Sequence, residues 1–344
     1  MQRLARVNSG KSSTYRTNVE SRIIGANLTD PRPAVREVPV DEGSDGQRLD
    51  NYLLKLLKGV PKTHVYRIIR SGEVRVNKGR AQADTRLAIG DVVRVPPVRV
   101  AAPAEQPEPA ASAAPAREFS ILFEDEHLLV IDKPAGVAVH GGSGVSFGVI
   151  EQLRRARPQA KFLELVHRLD KETSGILLLA KKRSALTRLQ DQFRERDTDK
   201  VYAALVAGVW PARLKVIDLP LLKGLDAAGE RHVRVVDANN TEARRSISIV
   251  HVVQAHTGCT LLDVTIKTGR THQIRVHLAH HGHPIVGDPK YGDFALNKAV
   301  ARTQHFGRMF LHARRLAFDH PGDGRRITLD CPLPAECTAL LEKL

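Results

Sequence analysis

His167-Arg168-Leu169-Asp170-Lys171-Glu172-Thr173-Ser174-Gly175 lies between two apolar runs, with Asp170 flanked by Arg168 and Lys171. The following run, Ile176–Leu179, reads as a strand, which puts Asp170 at a strand-to-loop transition. Nearby positive charge lowers the pKa of a carboxyl group and keeps it ionised. An ionised carboxylate in a shielded site can act as a nucleophile or a base. An Asp beside an Arg is also a common structural ion pair, and this segment alone is compatible with both.

Three further segments accompany it. In Lys200-Val201-Tyr202-Ala203-Ala204-Leu205, strand alternation puts Tyr202 on a face with Ala204 and Val206. The chain has only 15 Phe, Trp and Tyr residues, and a Tyr beside small side chains offers a wall on which a base can stack. A half-buried core tyrosine fits the same pattern. In Thr268-Gly269-Arg270-Thr271-His272-Gln273-Ile274-Arg275-Val276-His277, a strand end passes into a helix. The open N–H groups there, with Arg270, make a phosphate cradle, and His272 and Arg275, three apart, share a helical face. His140-Gly141-Gly142-Ser143-Gly144 reads as a flexible loop able to bring its backbone against a ligand. Strand-like runs at Leu128–Ile131, Val201–Val209 and Thr260–Lys267 alternate with helical stretches near Gly148–Arg157, Ser184–Arg194 and Thr271–His280. This half of the chain is mixed α and β.

Upstream, residues 101–116 are almost entirely Ala, Pro, Glu, Gln and Ser, a composition that forms a spacer rather than a packed core. Before it, residues 46–99 hold twelve Lys/Arg against four acids, over half of the chain's net charge of +15. Leu49, Leu53, Leu56 and Leu57 fall at helical spacing, with Asp45 as the expected cap. Pro61 opens a second helix that buries Val65, Ile68 and Ile69, shows Lys62, Tyr66, Arg67 and Arg70 on its other face, and ends at Gly72. Val74, Val76, the turn Asn77-Lys78-Gly79 and the run Val92–Val95 read as short strands. A small unit with one cationic face suits a phosphate backbone. Residues 1–40 carry seven Lys/Arg and three acids. Their first nineteen residues lack acids, as transit peptides do, but no clear amphipathic helix supports that, and we read a disordered RNA-contacting arm.

Composition narrows the alternatives. With 344 residues, 42% of them hydrophobic, the chain can fill two domains. No apolar run approaches the roughly 18 residues of a membrane span. Cys259, Cys331 and Cys337 form no C-x-x-C pair, which fits reduced thiols and a cytoplasmic setting. A net +15 points to an anionic partner, nucleic acid before membrane. There is no G-x-G-x-x-G for a dinucleotide and no G-x-S-x-G for a serine hydrolase. His277, His280, His281 and His283 lack the H-E-x-x-H pattern and nearby thiols, so no metal is expected.

Together the four segments resemble the RluA family of RNA pseudouridine synthases. Its signature H-R-L-D-x-x-T-S-G stands at His167 to Gly175, its strand motif at Lys200–Leu205 and its T-G-R-x-H-Q-I-R segment at Thr268 to Arg275. The resemblance covers about residues 40–344. It implies an α+β fold, with an N-terminal S4-like RNA-binding module and a catalytic domain whose mixed, largely antiparallel β-sheet is flanked by helices and loops. The expected divisions are a basic disordered extension over 1–40, the S4-like module over 41–99, an Ala/Pro-rich linker over 100–117 and the catalytic domain over 118–344.

By the same resemblance Asp170 is the catalytic aspartate, Tyr202 the active-site tyrosine and Arg275 the basic partner of Asp170, while Arg168 helps displace the target nucleotide. Arg270, His272, Lys62, Arg67 and Arg70 are expected to bind RNA. The implied reaction turns uridine into pseudouridine: N1–C1′ breaks, the uracil turns, and the base rejoins through C5. Nothing is oxidised, so no cofactor is expected. Asp170 would either attack the sugar or help form an unsaturated sugar. The expected partner is 23S ribosomal RNA or a large-subunit assembly intermediate, with no membrane and no metal, and the protein is expected to be a monomer. Another RNA such as tRNA, or a non-catalytic RNA-binding assembly factor on the same fold, are the competing readings.

Overall fold

The computed structural model describes residues 34–98, 114–141, 147–225 and 231–344. The expected extension up to residue 33, the linker up to residue 113 and the loop residues 142–146 lie outside the described residues.

The first unit holds strands β1 (Arg36–Pro39), β2 (Arg75–Val76), β3 (Gly79–Arg80) and β4 (Val92–Val95) in the order β1-β4-β2-β3, with helices α1 (Leu49–Leu56) and α2 (Lys62–Arg70) against them. Residues 36–39 thus belong to this sheet rather than to the extension expected over 1–40, because all four pair antiparallel with Val92–Val95. Asn77 and Lys78 both take positive φ, 49° and 66°, the backbone of a tight hairpin turn between β2 and β3. Leu49, Leu53, Leu57, Val65, Ile68 and Ile69 form the core as their spacing predicts. Asp45 does not cap α1. Gly46 turns the chain at φ 67°, Arg48 becomes the cap residue, and the Asp45 carboxylate accepts instead from the Ile89 amide at 3.2 Å.

The second unit is built on one sheet of ten strands: β5 (Ser120–Glu124), β6 (Leu128–Lys133), β7 (Glu164–Leu165), β8 (Ser174–Ala180), β9 (Asp199–Ala207), β10 (Val216–Asp218), β13 (Ile247–His256), β14 (Cys259–Ile266), β15 (Leu311–Asp319) and β16 (Arg326–Asp330). The order is β10-β13-β14-β9-β15-β8-β6-β5, with β16 on β15 and β7 on β8. Of these pairings only β15 with β8 is parallel. Strands β11 (Leu221–Leu225) and β12 (Arg231–Val235) form a separate hairpin. The helices are α3 (Val149–Ala156), α4 (Arg183–Glu195), α5 (Gln273–His280), α6 (Phe294–Gln304) and α7 (Ala335–Leu341). Among the described residues no helix is long and apolar enough to cross a membrane.

Strand β8 is buried along its whole length because both faces are covered. Ile176 and Leu178 face α4 with Ala185, Leu186 and Leu189, while Leu177 and Leu179 face α3 with Ile150 and Leu153. Leu169, Ala313 and Tyr202 join the α3 side. Gly175, at φ 106°, lets the backbone of β8 close on Ala313 of β15; a Cβ there would collide with the Ala313 carbonyl. Ala313 is in register with Gly175 on one side and with Tyr202 on the other. One small residue therefore sets the spacing between the loop that carries Asp170 and the strand that carries Tyr202.

Candidate active site

Asp170 lies in the loop between β7 and β8, Tyr202 on β9, and Arg275 in the first turn of α5. Arg275 Nη1 donates to Asp170 Oδ2 at 3.0 Å. Its Nε and Nη2 donate to Oδ2 and Oδ1 of Asp288, both at 2.8 Å. Arg275 is thus held by two carboxylates. Burial alone would lower the guanidinium pKa, but the hydrogen bonds and charge of Asp288 and Asp170 outweigh it and push it up. Burial likewise pushes the Asp288 carboxyl up, and Arg275 with the Tyr291 and Lys290 amides more than reverses this. Asp288 stays ionised at 0% exposure.

A cavity of about 110 Å³ opens over this pair, lined by Arg168, Asp170, Tyr202, Arg270, His272 and Arg275 among others, with Ile266 and Leu311 as apolar wall. A second cavity of about 220 Å³ shares Arg168, Asp170, His272 and Arg275 and adds His140, Lys171 and Glu172. Six of the nine residues singled out in the sequence thus converge on one place. Lys62, Arg67 and Arg70 do not line it; they are exposed on α2 of the first unit. Burial, with the charge of Asp170 adding to it, pushes the Tyr202 phenol above its ordinary range. Its ring is neutral near neutral pH.

Two local readings are corrected. The guanidinium that meets the Asp170 carboxylate is that of Arg275, reached across the fold as the resemblance implies, whereas the adjacent Lys171 stands 4.0 Å from Glu172. Helix α5 starts at Gln273, two residues later than expected, and His272 is its cap at a left-handed φ of 54°. One amide of the expected cradle is already engaged: Arg270 N donates to Gln273 Oε1 at 3.1 Å, as does the Thr268 hydroxyl at 2.7 Å. His272 and Arg275 still meet, because both turn to Asp170. His272 Nε2 is 3.8 Å from Asp170 Oδ2.

Other members of the quoted motifs serve the scaffold. His167 stacks on Phe193 at 4.9 Å between ring centroids, and its Nε2 accepts from the Leu178 amide at 3.2 Å. Burial, then the Lys200 charge, lowers its pKa to about 4. His277 bonds to Ser248 Oγ at 3.0 Å inside the core. Among the described residues no group of three or more His, Cys, Asp or Glu could hold a metal ion. Gly141 and Gly148, at the two ends of the glycine loop, both donate to Glu151 Oε2, at 3.1 and 2.8 Å.

Three supporting residues escaped the sequence reading: Asp288, Tyr291 and Lys133. Lys133 is fully buried, and its Nζ donates to the carbonyls of Pro134, Val137 and Lys171 at 2.8, 2.8 and 3.1 Å. It ties the end of β6 to the residue after Asp170, and burial pushes its ammonium down to about 7. The one available signal was a lysine ending an apolar strand with no acid beside it in the pleat.

A mixed sheet that brings an Arg-paired aspartate and a tyrosine to one cavity defines a class. The profile of the RNA pseudouridylate synthase family matches residues 127–280, and that of the S4 domain matches residues 47–93. The chain belongs to the RNA pseudouridylate synthase family and is a pseudouridine synthase, an isomerase. It is 49% identical over 313 residues to ribosomal large subunit pseudouridine synthase C of Haemophilus influenzae, covering 90% of this chain and 95% of that one. To the protein of the same name from Escherichia coli K12 it is 48% identical, covering 91% and 97%. Among solved structures it is similar to human RNA pseudouridylate synthase domain containing 4, with a TM-score of 0.53 and 29% identity over 65% of this chain and 92% of that one.

Proposed function

We propose that the protein converts specific uridines of 23S ribosomal RNA, in the large subunit or its assembly intermediate, to pseudouridine in the cytoplasm. The observation that carries the catalytic reading is the Arg275–Asp170 pair at 3.0 Å on the wall of a cavity that also holds Tyr202. Relatives that match over nine-tenths of the chain and bear a large-subunit name support the choice of RNA.

In this reading a target uridine leaves its stack, at a cost of a few kcal/mol, and its uracil enters the smaller cavity against Tyr202. Arg168, exposed at the rim of both cavities, fills the vacated place with a planar, permanently charged group. Asp170, kept in one orientation by Arg275, assists rupture of N1–C1′, and the uracil departs with the bonding pair. The base turns within the cavity, C5 bonds to C1′, the C5 proton is lost, and N1 gains a proton. Atoms and electrons balance without a redox partner. The exposed Lys62, Arg67 and Arg70 hold phosphates of the surrounding RNA.

Incubation with unmodified 23S transcript and with bulk tRNA, followed by mapping of pseudouridine in each, tests the substrate. Modification of discrete 23S sites is the expected result. Modification confined to tRNA would overturn it.

A further inference from the structure

We propose that Tyr291 and Asp288 are positioning residues, and that Tyr291 fixes the tautomer of His272 so that its Nε2–H is presented to an oxygen of the flipped nucleoside. The proposal rests on the reading of Asp170 as the catalytic carboxylate.

Both residues belong to one short turn after β-bridge residue Ile285, with Asp288 at its start and Tyr291 near its end. Asp288 is buried and both of its oxygens accept hydrogen bonds. Its Oδ1 takes Arg275 Nη2 and the Lys290 and Tyr291 amides, and its Oδ2 takes Arg275 Nε. The Tyr291 ring lies 5.1 Å from the Arg275 Cζ, so the same turn holds the guanidinium by its edge and by its face. Nη1, which neither bond to Asp288 uses, reaches Asp170.

The Tyr291 hydroxyl makes two bonds. The Val233 amide donates to it at 3.0 Å, so the hydroxyl oxygen is an acceptor there. In the proposed arrangement its own proton points to its other neighbour, His272 Nδ1, at 2.8 Å. An Nδ1 that accepts places the ring proton on Nε2. Nε2 lies 3.8 Å from Asp170 Oδ2, too far for a hydrogen bond, and His272 borders both cavities. The N–H is therefore available to a uracil carbonyl or ribose hydroxyl lying beside Asp170. Burial, the largest influence on His272, lowers its pKa and favours the uncharged ring; Asp170 and Asp288 pull the other way, and Arg275 and Lys290 reinforce burial. The left-handed backbone at His272 points to the same constraint, since a non-glycine residue keeps such a conformation only where its surroundings hold it.

The test is a ¹⁵N-histidine spectrum of the full chain, with the His272 signals assigned by their loss in His272→Gln. Protonated Nε2 and bare Nδ1 are expected in the wild type; a protonated Nδ1 would overturn the proposal whatever the variants do. Tyr291→Phe keeps the ring under Arg275 and removes the hydroxyl. It should mix the tautomers and lower kcat about tenfold with KM within about twofold. Unchanged tautomer and unchanged kcat would overturn the role of Tyr291. Asp288→Asn should likewise lower kcat more than KM, with partial recovery in Asp288→Glu; an unchanged kcat would overturn the role of Asp288. Asp170→Asn run alongside separates the two readings: turnover in that variant would sink the catalytic reading, whereas a dead Asp170→Asn with an indifferent Tyr291→Phe would sink only this one.

Discussion

Arg275 and Asp288 form a two-pronged pair, Nε to Oδ2 and Nη2 to Oδ1 at 2.8 Å each, and this pair aims the remaining nitrogen of Arg275 at Asp170. The arrangement makes the proposed active centre and the stability of the fold interdependent. Arg275→Ala leaves a fully buried carboxylate without its cation, and loss of one member of a buried pair costs about 3–5 kcal/mol. Turnover should fall far more than RNA affinity, because the partners of Arg275 are carboxylates. A loss seen only in affinity would reassign Arg275 to the RNA backbone.

The same pair gives a pH signature. The folded-state pKa of Asp288 is depressed, so its contribution to stability is present above the unfolded value of about 3.9 and is lost as pH falls through the folded value. In Arg275→Ala burial acts on Asp288 with its main counterweight removed, and the protonated form is favoured. The stability gap between wild type and Arg275→Ala should therefore narrow from pH 7 toward pH 4, as read by urea unfolding at each pH. A gap that widens on acidification would contradict the pairing.

Much of this was legible in the sequence. Periodicity marked α1, α2, α3 and α4 and the main strands because each buries one regular face. Asp170, Tyr202 and Arg275 were legible as members of short motifs. Their mutual geometry was not, since Asp170 and Arg275 are 105 residues apart and meet only through the order of the central strands. Asp288 and Tyr291 lacked any periodic or charge signal; their meaning lies in what α5 brings to them. The start of α5 was misread because the Gln273 side chain, not a backbone pattern, satisfies the amide before it.

Tyr202 yields a third expectation. Its phenol is pushed up by burial and by Asp170, so it is un-ionised when the enzyme works, and no limb of the rate–pH profile near neutrality belongs to it. Tyr202→Phe keeps the stacking wall and should hold RNA affinity within about twofold, while turnover falls about 100-fold if the hydroxyl takes part in proton removal from C5. Tyr202→Ala should lose affinity as well, by about 1–3 kcal/mol for the lost stacking. Equal turnover of Tyr202→Phe and wild type would remove the hydroxyl from the chemistry.

The fourth concerns the first unit. Replacing Lys62, Arg67 and Arg70 together by Gln should reduce the slope of log affinity against log salt by about 2–3, since each phosphate contact contributes about 0.9 on duplex and 0.7 on single strands. The catalytic rate on bound RNA should be unchanged, because none of the three lines the cavity around Asp170. An unchanged slope would remove this face of α2 from RNA binding.

The central claim is that Asp170 acts on a uridine that exchanges its N1 linkage for one through C5. The most direct measurement uses 23S transcript labelled with tritium at uridine C5 and counts the tritium released to water by the wild type and by Asp170→Asn. Release by the wild type and none by the variant, with both still bound to the RNA, is the predicted result. Equal release from both, or none from a wild type that binds the transcript, would contradict it.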